Sequence, residues 1–101
     1  MHSTIEMIES ITESPLKNKR FRVVINNKKF DFGLDTGSTY IDHHDIKKRE
    51  NYRKRHLGNV REKYLIEHFL PSPALLSYYL LWGESTDLGE NIIQLNRKLK
   101  E

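Results

Sequence analysis

The chain has no cysteine, and its 101 residues include three prolines, five glycines and a single tryptophan. Without cysteine there is neither a disulfide framework nor a thiolate metal site, which suits a reducing compartment. Long apolar runs are missing as well. The longest, Ala74 to Trp82, is interrupted by Ser77 and is too short to cross a bilayer. The opening residues, Met1-His2-Ser3-Thr4-Ile5-Glu6, lack the basic start and apolar stretch of a signal peptide. There is no internal repeat and no low-complexity segment. One domain is the limit at this length. The apolar set makes up 37% of the residues and the charged set 31%, so apolar material is scarce, though above disordered levels. A core of that size is thin, and stability is marginal unless a partner helps.

Charge is present, and it is unevenly spread. The net charge is +3, but residues 1–16 carry three Glu and no Lys or Arg, residues 17–63 carry 14 Lys/Arg against six Asp/Glu, and residues 64–101 carry three against five. A basic block thus lies between two mildly acidic flanks. Such asymmetry favours an anionic partner: nucleic acid, a membrane surface or an acidic protein.

Ser3 or Thr4 can cap a short helix whose face carries Ile5, Ile8 and Ile11, and Ser14-Pro15 ends it. Residues 1–16 are therefore expected to form an amphipathic N-terminal helix or docking arm, and residues 17–101 a single small domain. Phe21 to Ile25 and Lys28 to Phe32 read as the strands of a hairpin turning at Asn26-Asn27, with Phe30 and Phe32 on one face and Lys29 and Asp31 on the other. Asp42 is expected to cap a helix over residues 43–57, which Gly58 stops. Its only clear apolar positions are Ile46, Tyr52 and Leu57, too few for a wide buried face. Asn59 and Glu62 suggest a capping box for a helix carrying Val60, Tyr64, Leu65, His68 and Phe69. Ser72-Pro73 is a strong helix start. Ala74 to Trp82 is apolar nearly all round, the mark of a buried helix, and Gly83 ends it. Ser85-Thr86-Asp87 opens a last helix with Leu88, Ile92, Leu95 and Leu99 as its stripe. The expected fold class is small α+β, a β-hairpin packed against three to four α-helices with Ala74–Trp82 at the centre.

Asp35-Thr36-Gly37-Ser38 carries the Asp-Thr-Gly signature of aspartic proteases, and the chain is about the size of a retropepsin subunit. The resemblance spans roughly residues 21–41 and implies a dimer, because two carboxylates must share a proton. A retropepsin also needs a Gly-rich flap and a late apolar strand ending in glycine. Residues 43–99 read instead as helix, so Asp35 and Gly37 are better taken as turn residues.

A second pattern runs further: Phe32-Gly33, Ser38-x-Tyr40, His44-Asp45, Arg49-x-x-Tyr52-x-x-Arg55-His56, then Pro73, Ala74, Leu76-Ser77 and Leu80-Leu81-Trp82. Over about residues 20–98 this resembles a small uncharacterised protein family of giant (nucleocytoplasmic large) DNA viruses. The Leu34-Asp35-Thr36-Gly37 loop and the extra N-terminal helix depart from the family pattern. The resemblance implies no activity. It implies origin in a large DNA virus and a role in the virion or in handling viral nucleic acid, located in the virion or the infected-cell cytoplasm.

His43, His44, Asp45 and His56 raise the question of a metal. His44 and His56 are about three helical turns apart, roughly 18 Å along the axis, so one helix cannot bring both to one ion. Capping and hydrogen bonding around the helix start is the better reading, and no metal or other cofactor is expected. Lys47, Arg49, Arg53 and Arg55 are the candidate nucleic-acid or anion-binding residues. Arg49, Tyr52, Arg53 and His56 share one helix face that can grip phosphates. Against this stands a solvated face, or arginines paired inside the fold with Asp31, Asp35, Asp42 and Asp45. Trp82 with Tyr78 and Tyr79 reads as core packing rather than as a ligand platform.

The sequence therefore favours a non-enzymatic viral structural or accessory protein, a minor capsid or virion-associated component. Its partners would be other viral proteins, capsid proteins among them. A nucleic-acid-binding module using residues 43–57 is the alternative, and a dimeric aspartic protease the remote one.

Overall fold

The computed structural model describes residues 7–100. The fold is α+β, with a three-stranded antiparallel sheet followed by helices. The strands, β1 (Ile8–Glu13), β2 (Lys19–Ile25) and β3 (Lys28–Leu34), form a meander in chain order. Then come α1 (Tyr40–His43), α2 (Ile46–Leu57), α3 (Val60–Glu67), α4 (Pro73–Leu76) and α5 (Leu88–Lys100); a π-helical stretch, Ser77–Leu81, continues α4 directly.

The hairpin between β2 and β3 follows from its turn chemistry. Asn26 (φ 51°) and Asn27 (φ 65°) both take the left-handed conformation, the requirement of a type I′ two-residue turn whose twist matches the strands. The resulting register sets Phe21 opposite Phe32, Val23 opposite Phe30 and Arg22 opposite Asp31. Apolar residues thus share one face and the Arg22–Asp31 pair the other.

The helix expected over the first 16 residues is corrected over Ile8–Glu13, which form a strand paired with β2; Ser3, Thr4 and Ile5 lie outside the described residues. The physical reason is a β-bulge. Ile8 and Ile11 are three apart, the spacing of a helix stripe, and in a regular strand they would point to opposite faces. The register shifts between Ile8 and Ser10, so that Ile8 sits opposite Ile25 and Ile11 opposite Val23. The extra residue returns both isoleucines to the core side. Ile8 N–H also donates to Asn96 Oδ1 of α5 at 2.9 Å.

The core is where the sheet meets the α4–π segment and α5. Val23, Ile25, Phe32, Leu76, Leu80, Leu81 and Leu95 are buried and in mutual contact. Each such side chain contributes about 1.5–3 kcal/mol relative to exposure. The expected stripe of α5 is borne out: Leu95 is buried, and Leu88, Ile92 and Leu99 pack against the core. Ser72 caps α4 by accepting from Leu75 N–H, with Pro73 as first helical residue, as expected. The change to π geometry at Ser77 is not visible in the sequence. The segment's end supplies a use for Asn91, 1% exposed: its Nδ2 donates to Leu80 O, one of the last carbonyls of the helix, and to Ser85 O, while its Oδ1 accepts from Ser85 N–H. Loss of that amide strands several buried groups, at about 1–3 kcal/mol each. In α3 the expected stripe is only partly right. Val60 and Tyr64 are exposed, and Ile66 is the buried residue. Phe69, at φ 52°, turns the chain out of the helix before it can present a longer face.

The helix expected over 43–57 begins instead at Ile46, capped by Asp45, whose side chain accepts from Lys47 and Lys48 N–H. His44 breaks it from α1 by adopting φ 59°. Asp42 belongs to α1, where it completes a capping box with Thr39. It also receives both terminal nitrogens of Arg20 at 2.6 and 2.7 Å, which clamps β2 to α1. On the same sheet face Arg22 grips Asp31 through two nitrogens, and Ser14 Oγ donates to the same carboxylate. Gly33 (φ +80°) lets the backbone pass here. A Cβ would stand 3.0 Å from Leu81 Cδ1 and 3.2 Å from Arg20 Cβ.

These pairs set a pH dependence. The Arg20 and Arg22 hydrogen bonds hold the Asp42 and Asp31 carboxyls below the usual carboxylate range. A depressed carboxylate contributes stability that is present above its unfolded value, about 3.9, and is lost as pH falls through the folded value. Urea melts at stepped pH should show stability constant near neutrality and falling below about pH 4. Asp42→Asn should be less stable at pH 7 and show a shallower acid limb. An unchanged acid limb in that variant would contradict the assignment.

Candidate functional site

Helix α2 buries no residue completely, yet one face of it is turned to the protein. Arg49 Nε donates to Gly83 O, and its guanidinium lies 5.6 Å from the Tyr40 ring centroid. Arg53 lies over Tyr78 at 4.2 Å and near Tyr79 at 5.8 Å. Tyr52 stacks on Trp82 at 4.3 Å with the planes 7° apart, and His56 follows on the other side of Tyr52 at 4.0 Å. His56 Nδ1 in turn contacts Glu62 Oε1 of α3. The four residues spaced for one face, Arg49, Tyr52, Arg53 and His56, do share it. They meet aromatic rings, a backbone carbonyl and a carboxylate of the same chain.

This geometry answers how so charged a helix docks. Arginine stems cover apolar surface, and the guanidinium rests on the negative face of a ring. Each such contact is worth about 0.5–2 kcal/mol, more as it is desolvated. Burial draws the Arg53 pKa below its ordinary value, and Arg53 Nε has no hydrogen-bond partner among the described residues. The guanidinium remains charged throughout the accessible pH range. Burial also pushes the Tyr52 phenol up to about 12, so the Tyr52 ring stays neutral in the stack.

The candidate anion-binding set therefore divides. Lys47 and Arg55 are exposed; Arg49 and Arg53 are half-buried against the rings. Pairing of the helix arginines with Asp31, Asp35, Asp42 and Asp45 is corrected. Asp31 and Asp42 take arginines of β2, Asp45 caps α2, and Asp35 is exposed. The Asp35-Thr36-Gly37 segment is a turn closed by Gly37 N–H to Leu34 O at 3.2 Å. The histidines take capping and pairing roles, with His43 Nδ1 accepting from Asp45 N–H at 2.9 Å. Among the described residues no three His, Asp or Glu side chains gather as a metal site would need.

Beside the stack lies a cleft of about 650 Å³. The end of β3 and the following loop form one side, with Phe32, Leu34 and Thr39. The C-terminal half of α2 supplies Tyr52, Arg55 and His56, and α3 adds Glu62 and Leu65. Ala74, Ser77, Leu81 and Trp82 close the remaining side. Leu34 is 64% exposed at its edge. Trp82 is thus both a packing residue and a wall of the cleft. The sequence signal for the wall was the α2 face itself; the signal for the cleft was absent, because its parts come from five separate segments.

Residues 9–56, just under half of the chain, match a family model described as Family of unknown function (DUF5754). The matched span contains most of the sheet together with α1 and most of α2, ending at His56. No curated protein and no solved structure matches the chain.

The Arg–aromatic docking separates two neighbouring basic residues. Arg53→Ala should lower the unfolding free energy by about 1–2 kcal/mol, whereas exposed Lys54→Ala should stay within about 0.5 kcal/mol of the parent. Equal effects in denaturant melts would contradict the placement of Arg53.

Proposed function

We propose that this is a non-enzymatic structural or accessory protein of a large DNA virus, acting through protein–protein contacts as a virion-associated component. The viral part of the reading is supported by the resemblance carried by Phe32-Gly33, Arg49-x-x-Tyr52-x-x-Arg55-His56 and Leu80-Leu81-Trp82. The contact part is supported by one observation. The two central arginines of the one strongly basic helix are engaged by rings and a main-chain carbonyl, while an apolar-walled cleft stands open beside them. An open apolar surface edged by polar groups suits adhesion to another protein.

A nucleic-acid-binding role is the second reading. It is supported by the exposed cations of α2, Lys47, Lys48 and Lys54, with Arg55 beside them at the cleft. The whole-chain charge of +3 is modest for that role.

Quantitative mass spectrometry of purified virus particles, with lysine cross-linking, separates the two. The first reading predicts the chain at a fixed stoichiometry, cross-linked to another viral protein. Absence from particles would contradict it. Recovery only with nucleic acid, lost steeply as salt rises, would favour the second reading.

A further inference from the structure

The cleft has a chemistry of its own. Its walls are apolar, from Phe32, Leu34, Leu65, Ala74, Leu81 and Trp82, and two cations, Lys19 and Arg55, line it as well. Both cations are exposed. Neither has a carboxylate within 4.0 Å among the described residues. The one acid in the lining, Glu62, is engaged by His56. The fixed charge offered to an incoming group is therefore positive. The volume lies within the usual range of ligand pockets, about 300–1,000 Å³. One wall is also built at a conformational cost. Ser77 and Leu81 lie in the π-helical stretch, a geometry uncommon in helices and concentrated at functional sites. Trp82 follows it directly, held flat against Tyr52.

We infer that this cleft receives a short peptide segment of a partner protein, with a bulky apolar side chain flanked by carboxylates. The apolar side chain packs between Leu34, Leu65 and Trp82, and the carboxylates meet Lys19 and Arg55. The apolar walls and stacked rings select for a buried side chain, which a nucleic-acid backbone lacks; the two cations select for acidic flanks over basic ones. This inference rests on the protein-contact reading above and gives it a place and a partner chemistry.

Trp82, the only tryptophan, reports directly. The full chain, labelled with ¹⁵N, is titrated with the acetylated, amidated tetrapeptide Glu-Leu-Phe-Glu and separately with Lys-Leu-Phe-Lys, following the Trp82 indole resonance and fluorescence. The acidic peptide should shift Trp82 and the amides of Leu34 and Leu65 saturably. Its affinity should fall about tenfold in Lys19→Glu/Arg55→Glu, equivalent to about 1.4 kcal/mol, and the basic peptide should bind that variant better than the parent. Both substituted side chains are exposed, so the variant should keep the parent's fold and its amide spectrum away from the cleft; because Arg55 lies 5.8 Å from the Tyr52 ring centroid, Trp82 shifts are read against the free variant. Equal binding of the two peptides, no shift at Trp82, or displacement of the acidic peptide by oligothymidylate at the same residues would each overturn the inference. Failure here with the chain still cross-linked to proteins in particles would remove this site and leave the protein-contact reading standing. Peptide binding by a chain absent from particles would do the reverse.

Discussion

Arg53 over Tyr78, with Arg49 anchored to Gly83 O, is the constraint on which the docking of α2, and with it one wall of the cleft, depends. Helix α2 has no apolar stripe with which to dock. It is held by cations laid on rings and by one ring, Tyr52, laid on Trp82. If α2 moved away, the rings of Tyr78 and Trp82 would lose the side chains that cover them, and the cleft would lose the wall formed by Tyr52, Arg55 and His56. The docking tolerates little substitution at its far end. A Cβ on Gly83 would fall 2.2 Å from Tyr79 O, so the carbonyl that receives Arg49 belongs to a residue that must be glycine.

The sheet side is built on different forces. Among the described residues a cluster of seven buried side chains joins the sheet to the helices, and two bidentate Arg–carboxylate pairs stiffen the sheet from its opposite face. Such pairs are geometrically exacting as well as attractive. Arg20 ties the sheet to α1, and α1 leads through the left-handed His44 into α2. Cleft, ring stack and sheet are thus connected through Thr39, which lies both in the α1 capping box and in the cleft lining.

Much of the fold was legible in local chemistry. Asn26-Asn27 specified the hairpin, Ser72-Pro73 the start of α4, and the Leu88–Leu99 stripe the buried side of α5. What misled was periodicity without context. Ile8 and Ile11 repeat as a helix does, but a bulge makes a strand of them. Asp42 reads as a cap for α2, but it lies inside α1 and completes the capping box of Thr39, and His44 at φ 59° separates the two helices. The site was half legible. The shared face of Arg49, Tyr52, Arg53 and His56 follows from helical spacing. That it meets Tyr78, Tyr79 and Trp82 depends on tertiary packing across more than 20 residues, and that it meets Tyr40 depends on the break at His44, neither of which spacing encodes. A cation beside a distant ring leaves no local mark, whereas a cation beside an acid suggests itself at once, and two of those acids, Asp42 and Asp31, proved to be occupied by Arg20 and Arg22.

The central claim, that α2 docks by arginine on aromatic rings, is tested most directly by a double-mutant cycle. Arg53→Met and Tyr78→Leu, singly and together, are compared in urea melts at two salt concentrations. The account predicts a coupling of about 0.5–2 kcal/mol that changes little with salt, because the pair is partly desolvated. Strict additivity of the two substitutions would contradict it.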